Sequence, residues 1–246
     1  MNRTVILFLA LCLLGTAGWA QGGSGYLNLN VGLQTGTEGF RQDSPSVTLP
    51  GTTLLAGYTV DDSTVFDLGG GYVFDSNWGV GATVTYTSQS ESALAGADVQ
   101  IAGLPGQPIV RLGPTEADAD RSETGVHLHV LYAVRIDENW TLSLYGGPSW
   151  FSVSQDMISS IEAGPEGPPL AVDTRSVDES DWGYNIGADF AYYFNDKVGM
   201  GVGLRYARAT VDVENLIGTA ASGMRQTTST EAGGSQAVIG LRLRFE

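Results

Sequence analysis

"FDSNWGVG" spans residues 74–81, "IDENWTLS" residues 136–143 and "FNDKVGMG" residues 194–201. Each has a large apolar residue, three polar residues, a second apolar residue, and then alternation. The polar trios are DSN at 75–77, DEN at 137–139 and NDK at 195–197. Asp and Asn hydrogen-bond their own backbone and tolerate turn geometry, so each trio reads as a tight turn. On both sides the sequence alternates with period two, the mark of a strand. The three octets therefore predict three hairpins.

Working outward, the alternation predicts eight strands near 25–35, 64–74, 78–87, 124–136, 140–151, 182–194, 198–209 and 235–245. Short turns alternate with long connections over 36–63, 88–123, 152–181 and 210–234. One face of every strand is apolar and uncharged, as in Leu27, Leu29, Val31 and Leu33, or Val198, Met200, Val202 and Leu204. The other face carries polar residues and many glycines. Aromatic residues gather at the two ends of the apolar face. Phe74, Trp78, Trp140 and Phe194 mark one end, and Tyr86, Trp150, Trp182 and Tyr206 the other. A soluble barrel would place charge outside and apolar residues inside. An uncharged outer face between two aromatic girdles fits lipid, and backbone groups in lipid must all be paired, which forces closure. The predicted fold class is all-β: an eight-stranded antiparallel up-and-down transmembrane barrel. Its short turns are periplasmic and its long loops extracellular.

The flanks agree with export. Arg3, the run VILFLALCLLG and the AGWA segment ending at Ala20 predict a secretory signal peptide over 1–20, leaving 21–246 as one barrel domain. The single cysteine, Cys12, falls in that segment, so no disulfide is expected. Lys197 is the only lysine, and the net charge of −15 argues against nucleic acid as a partner.

With these features in place, the chain resembles the eight-stranded outer-membrane β-barrel family that includes OmpA barrel domains and OmpX-like proteins. The ending QAVIGLRLRFE carries the resemblance furthest. Ile239, Leu241, Leu243 and Phe245 match the alternating, aromatic-closed terminal strand that the family's assembly machinery recognises, with Glu246 a departure because Phe usually comes last. The resemblance implies outer-membrane lipid, lipopolysaccharide and that machinery as partners. It says little about activity, since one small barrel serves many roles.

The inward face holds the remaining candidates. Asp67, Arg135, Asp189, Arg205, Arg242 and Arg244 are expected to form a polar plug, because an eight-stranded barrel is just wide enough for side chains to fill. Asp189 and Arg205, diagonal across the turn at 195–197, are expected to pair. The two histidines, His127 and His129, share a face near the outer end of their strand. They read as polar lining; the sharper alternative is a metal site, or a general base with Asp120 or Glu123. The acidic loops, including DESD at 178–181, read as solvated surface with possible weak divalent-cation binding. No cofactor and no enzymatic activity are expected. The function expected is a structural or surface-interaction role through the loops to an extracellular partner. The alternatives are a narrow channel for small polar solutes and an outer-leaflet lipid-modifying enzyme.

Overall fold

Alternation is realised as strand throughout. A computed structural model describes residues 23–35, 40–45, 52–59, 61–100, 109–164, 167–217 and 224–245. Within them run β1 (Ser24–Gln34), β2 (Phe40–Pro45), β3 (Thr52–Tyr58), β4 (Ser63–Val73) and β5 (Trp78–Gln100). They are followed by β6 (Ile109–Arg135), β7 (Trp140–Gly164), β8 (Gly167–Tyr193), β9 (Val198–Ile217) and β10 (Met224–Phe245). The signal peptide expected over 1–20 and the terminal Glu246 lie outside the described residues.

Eight strands form a ring in the order β5-β4-β1-β10-β9-β8-β7-β6, closed by pairing of β6 with β5. Every pairing is antiparallel. The first and last strands, β1 and β10, meet where Leu27 registers with Leu243 and Leu33 with Ala237. β2 and β3 form a further hairpin, and β3 takes up the edge of β5 at Ala93–Val99, beyond the stretch paired with β4.

The three repeated octets share one construction. The apolar residue opening each turn donates its amide to the carbonyl of the apolar residue closing it: Phe74 to Trp78 at 2.7 Å, Ile136 to Trp140 at 2.9 Å, Phe194 to Val198 at 2.9 Å. In two turns a side chain caps the bend. Asp137 Oδ1 accepts from the amides of Asn139 and Trp140, and Asn195 Oδ1 from those of Lys197 and Val198. In the third turn the last polar residue, Asn77, takes a φ of 66°, a left-handed conformation Asn tolerates. The carbonyls of Asn77, Asn139 and Lys197 then accept amides from Ala133, Tyr193 and Arg244 on the next strand, stitching each turn to its neighbour.

The strands run well past the expected boundaries. The connections predicted over 88–123, 152–181 and 210–234 are largely strand, because β5 continues to Gln100, β6 begins at Ile109, and the β7–β8 and β9–β10 hairpins reach Gly164 and Ile217. The cause lies in the inward positions of these stretches. Phe151, Val153, Met157, Ala207, Ala209, Val211, Val213 and Ala232 form a buried apolar cluster inside the extended barrel. That cluster gives the extensions a core of their own. The DESD run therefore lies within β8, where Asp178 registers with Ser154 and Glu179 with Val153. Its carboxylates alternate between faces instead of converging.

At the level of the girdles the polarity is reversed. Leu29, Leu33, Ile186, Val202 and Leu204 are exposed on the outside, while Asn30, Asp67, Thr83, Thr85, His127, Asn185, Arg205 and Arg242 are buried inside. Phe74, Trp78, Tyr86, Trp182, Phe194 and Tyr206 are exposed at the ends of this band. Trp150 registers with Trp182 across β7 and β8, and Trp140 stacks on Phe190 at 4.6 Å between ring centroids. Of the C-terminal residues, Ile239, Leu241 and Phe245 are exposed on the outer face and Leu243 is half-buried there.

Candidate functional site

The lumen is threaded by one continuous chain of side-chain hydrogen bonds. Arg121 donates to Glu123, whose other oxygen accepts from Gln34 at 3.2 Å. Gln34 accepts from Gln236 at 2.6 Å, and Gln236 from Arg205 at 3.2 Å. Arg205 pairs with Asp67 at 2.6 Å, Asp67 accepts from Asn30 at 2.7 Å, and Asn30 accepts from Arg242. Arg242 ends the chain in a two-pronged pair with Asp189. Three arginines face three carboxylates, so the chain is charge-balanced. Branches add to it: Arg121 donates to Gln155, Thr230 and the Glu231 carbonyl, and Glu123 accepts the Gly233 amide. Gly233 presents that amide from a φ of 95°, which favours glycine. A buried charge is tolerable only when paired and hydrogen-bonded, and each charge here has both.

The expected Asp189–Arg205 pair does not form; the partners are exchanged. Arg205 crosses the lumen to Asp67 on β4, and Asp189 is taken by Arg242 from β10. Glycine makes the exchange possible. A side chain at Gly201 would meet Arg242 Nε at 2.7 Å, so Arg242 crosses β9 in the space Gly201 leaves open. Arg135 and Arg244 do not belong to the plug. Arg135 is exposed at the turn end of β6. Arg244 lays its guanidinium on the Tyr193 ring at 3.8 Å and donates to Thr141 Oγ1 at 3.2 Å.

Arg121 was not singled out from the sequence, and Glu123 only as a candidate partner of the histidines, although both are among the buried charges. Their signal was parity. Both share the odd-numbered, inward face with His127 and His129, and a strand continuing past 124 would have placed them inside.

That continuation also moves the histidines. They sit within the lumen, not at a rim, registered with Thr83 and Gly81 of β5. His127 is fully buried, with Nδ1 2.8 Å from Ser149 Oγ and Nε2 3.0 Å from Thr85 Oγ1, so both ring nitrogens are engaged. His129 Nε2 lies 3.3 Å from the Tyr26 hydroxyl. Neither acid proposed as a partner serves them. Asp120 is exposed on the opposite face, and Glu123 is held by Arg121. Among the described residues no three His, Cys, Asp or Glu side chains converge as metal ligands.

At the level of the band one irregularity interrupts the wall. His127 registers with Ser149 and Val130 with Gly146, but pairing lapses between them, at Pro148, which has no amide hydrogen. Asn185, inward from β8, lends its amide to the carbonyls of Leu128, Gly147 and Pro148 and to Ser149 Oγ.

Below the plug, on the side of the short turns, the lumen widens into a cavity of about 800 Å³. Asp75, Asn77 and Arg135 stand at its turn end, while Asp67, Arg205, Asp189 and Arg242 lie among its deeper walls.

A closed eight-stranded barrel, apolar outside and polar within at the level of two aromatic girdles, is the architecture of an integral outer-membrane protein. The chain belongs to the outer membrane protein beta-barrel domain family, whose model matches residues 4–245. Among solved structures it is similar to the outer membrane protein OprG from Pseudomonas aeruginosa, at 14% identity and a TM-score of 0.53, over 92% of this chain and 97% of that one. It is also similar to Ail, the attachment invasion locus protein of Yersinia pestis, at 14% identity and a TM-score of 0.43, over 92% and 99%. A third similar structure is the outer membrane protease OmpT from Escherichia coli, at 11% identity and a TM-score of 0.38, over 94% and 99%. No curated protein matches the chain. At these identities the likeness speaks to fold alone.

Proposed function

We propose that the protein is a non-enzymatic outer-membrane barrel whose role is at the cell surface, carried by the strand extensions and the acidic side chains they present. The observation behind this reading is the unbroken, charge-balanced plug from Arg121 to Asp189, with the apolar cluster of Phe151, Val153 and Met157 packed around its Arg121 end. A lumen filled in this way conducts poorly, which leaves the outer surface as the part free to act. The extensions bear exposed Asp118, Asp120, Asp178, Asp212 and Glu214. Such a surface suits cationic or divalent-bridged partners, lipopolysaccharide phosphates with their counter-ions among them.

The test is conductance combined with phenotype. Purified protein in planar bilayers should show no steady current, and a deletion strain should keep its permeability to small solutes while losing surface binding or envelope integrity. A large, stable, ion-selective current would move the function to transport. Altered lipid A in the deletion strain, restored by the wild type but not by His127→Asn/His129→Asn, would move it to lipid chemistry.

A further inference from the structure

We propose that the cavity at the turn end of the barrel binds a small carboxylate- or phosphate-bearing solute presented from the periplasm. The first ground is charge. The chain carries a net −15, yet four of its twelve basic residues, Arg135, Arg205, Arg242 and Arg244, line this one cavity. Asp67 and Asp189 neutralise Arg205 and Arg242 within the plug. Arg135 and Arg244 have no acidic partner among the described residues. Both border Thr141 on the cavity wall: Arg135 is its backbone partner across β6 and β7, and Arg244 donates to its hydroxyl. Of the remaining wall only Asp75 is acidic, and it is exposed in a turn. A concave, partly desolvated wall with uncompensated guanidinium groups favours an oxyanion.

The second ground is independent of that surplus. Two polar atoms deep in the wall, Arg205 Nε and His129 Nδ1, are buried without a hydrogen-bond partner, on residues more than nine-tenths buried. Both residues line the cavity and flank the Tyr145 ring, Arg205 at 5.8 Å and His129 at 5.0 Å. Arg205 Nε is a donor in every protonation state. His129 Nδ1 is a donor whenever its Nε2 accepts from Tyr26, 3.3 Å away. An oxyanion entering past Arg135 and Arg244 therefore meets two further donors, with the Tyr145 hydroxyl beside Arg205. A volume of about 800 Å³ suits a metabolite-sized solute, not a polypeptide. The site is closed above by the plug, so it receives its ligand from the periplasm and does not pass it on. It stands apart from whatever the extensions do at the surface.

The experiment is charge-selective thiol labelling. Ser143→Cys puts a thiol on the cavity wall of a barrel whose only native cysteine, Cys12, precedes the described residues. Refolded protein is treated with anionic and cationic methanethiosulfonates of similar size. The anionic reagent should react roughly tenfold faster, the scale of electrostatic focusing in a charged cleft. Arg135→Gln with Arg244→Gln should bring the ratio towards one, and inorganic phosphate or succinate should slow labelling saturably in the parent only. Should Arg244→Gln hinder assembly, Arg135→Glu alone, at an exposed position, should still lower the ratio severalfold. Equal or faster cationic labelling overturns the proposal. So does an absence of protection by both phosphate and succinate. Labelling that is equally fast from outside intact cells would instead sink the sealed lumen, leaving the preference for anions to be judged by its own ratio.

Discussion

The girdled band and the extension above it are built from the same eight-strand ring with opposite polarity. On β9, Met200, Val202, Leu204 and Tyr206 face out and Arg205 faces in; a few residues on, Thr210, Asp212 and Glu214 face out and Ala207, Ala209, Val211 and Val213 face in. β7 makes the same exchange at Trp150: the outward set ends there, and Phe151, Val153 and Met157 are buried inside. The solvent on each side accounts for both halves. In lipid the outside must be apolar, so the inside can be a charged network only if every member is satisfied. In water the outside can be acidic, and the inside can hold an apolar cluster, with the Arg121–Glu123 pair, Gln155 and Thr230 hydrogen-bonded at its edge. One fold thus takes two kinds of stabilisation, joined at Trp150, Trp182 and Tyr206.

The comparison breaks most sharply at the plug. Asp67→Leu leaves the buried Arg205 without its carboxylate, and breaking such a pair is expected to cost about 3–5 kcal/mol. Adding Arg205→Leu should recover part of that loss. Urea unfolding in liposomes, followed by heat-modifiable gel mobility, reads both. A double variant no more stable than Asp67→Leu alone would mean that the charges do not act as a pair.

Next come two substitutions on the outer face of β9, six residues apart. Leu204→Arg puts a cation in the lipid band and should cost about 2–4 kcal/mol if it lies near the midplane. Thr210→Arg, on the same face of the extension, should change stability by less than about 0.5 kcal/mol. Equal costs would place position 210 in lipid and move the boundary outward.

A smaller effect is expected where the band's wall is interrupted. Asn185→Ala removes the donor that serves the carbonyls beside Pro148 and should cost about 1–3 kcal/mol. Amide exchange should rise in β6 and β7 around Leu128 and Gly146 before it rises in β1 or β10. Unchanged exchange there would show that the remaining ladder holds the seam unaided.

Much of the band was legible in the sequence because its period-two pattern persists from turn to turn. The repeated octets, the uncharged outer face and the girdle positions of Trp78, Trp140 and Phe194 all follow from it. The extension was obscured at the phase change. After Tyr206 and Trp150 the apolar residues pass from even to odd positions, so a reading that followed one face lost the strand while the backbone continued. Arg121, and its pairing with Glu123, were missed for that reason. The partners of Asp189 and Arg205 were not legible at all. Neighbouring strands suggested a local pair, whereas the arginines reach across the space left by glycines, a long-range result of ring closure that no spacing records.

The finest test lies in the extension, at Tyr58 on β3. Its buried hydroxyl accepts the Ile158 amide of β7 at 2.8 Å, tying the β2–β3 hairpin to the wall opposite. Tyr58→Phe removes that bond and should cost about 1 kcal/mol near neutral pH. Burial also pushes the phenol up to about 12, against a lesser downward pull from the amide hydrogen bond. An ordinary phenol titrates near 10, so the unfolded chain loses this proton first as pH rises. The folded state then binds more protons than the unfolded one, and stability must fall with pH through this window. The Tyr58 contribution is whole below about 10 and lost progressively towards about 12, with a ceiling of about 2–3 kcal/mol set by that gap. The stabilities of the wild type and of Tyr58→Phe should therefore approach each other above pH 9 and cross before pH 12, because the loss exceeds the bond's roughly 1 kcal/mol. Protease cutting between β3 and β4 should rise over the same range in the wild type, while the band stays intact. Parallel pH profiles for the two proteins would show that Tyr58 is solvated, and that the extension lacks the dry interior that distinguishes it from the band.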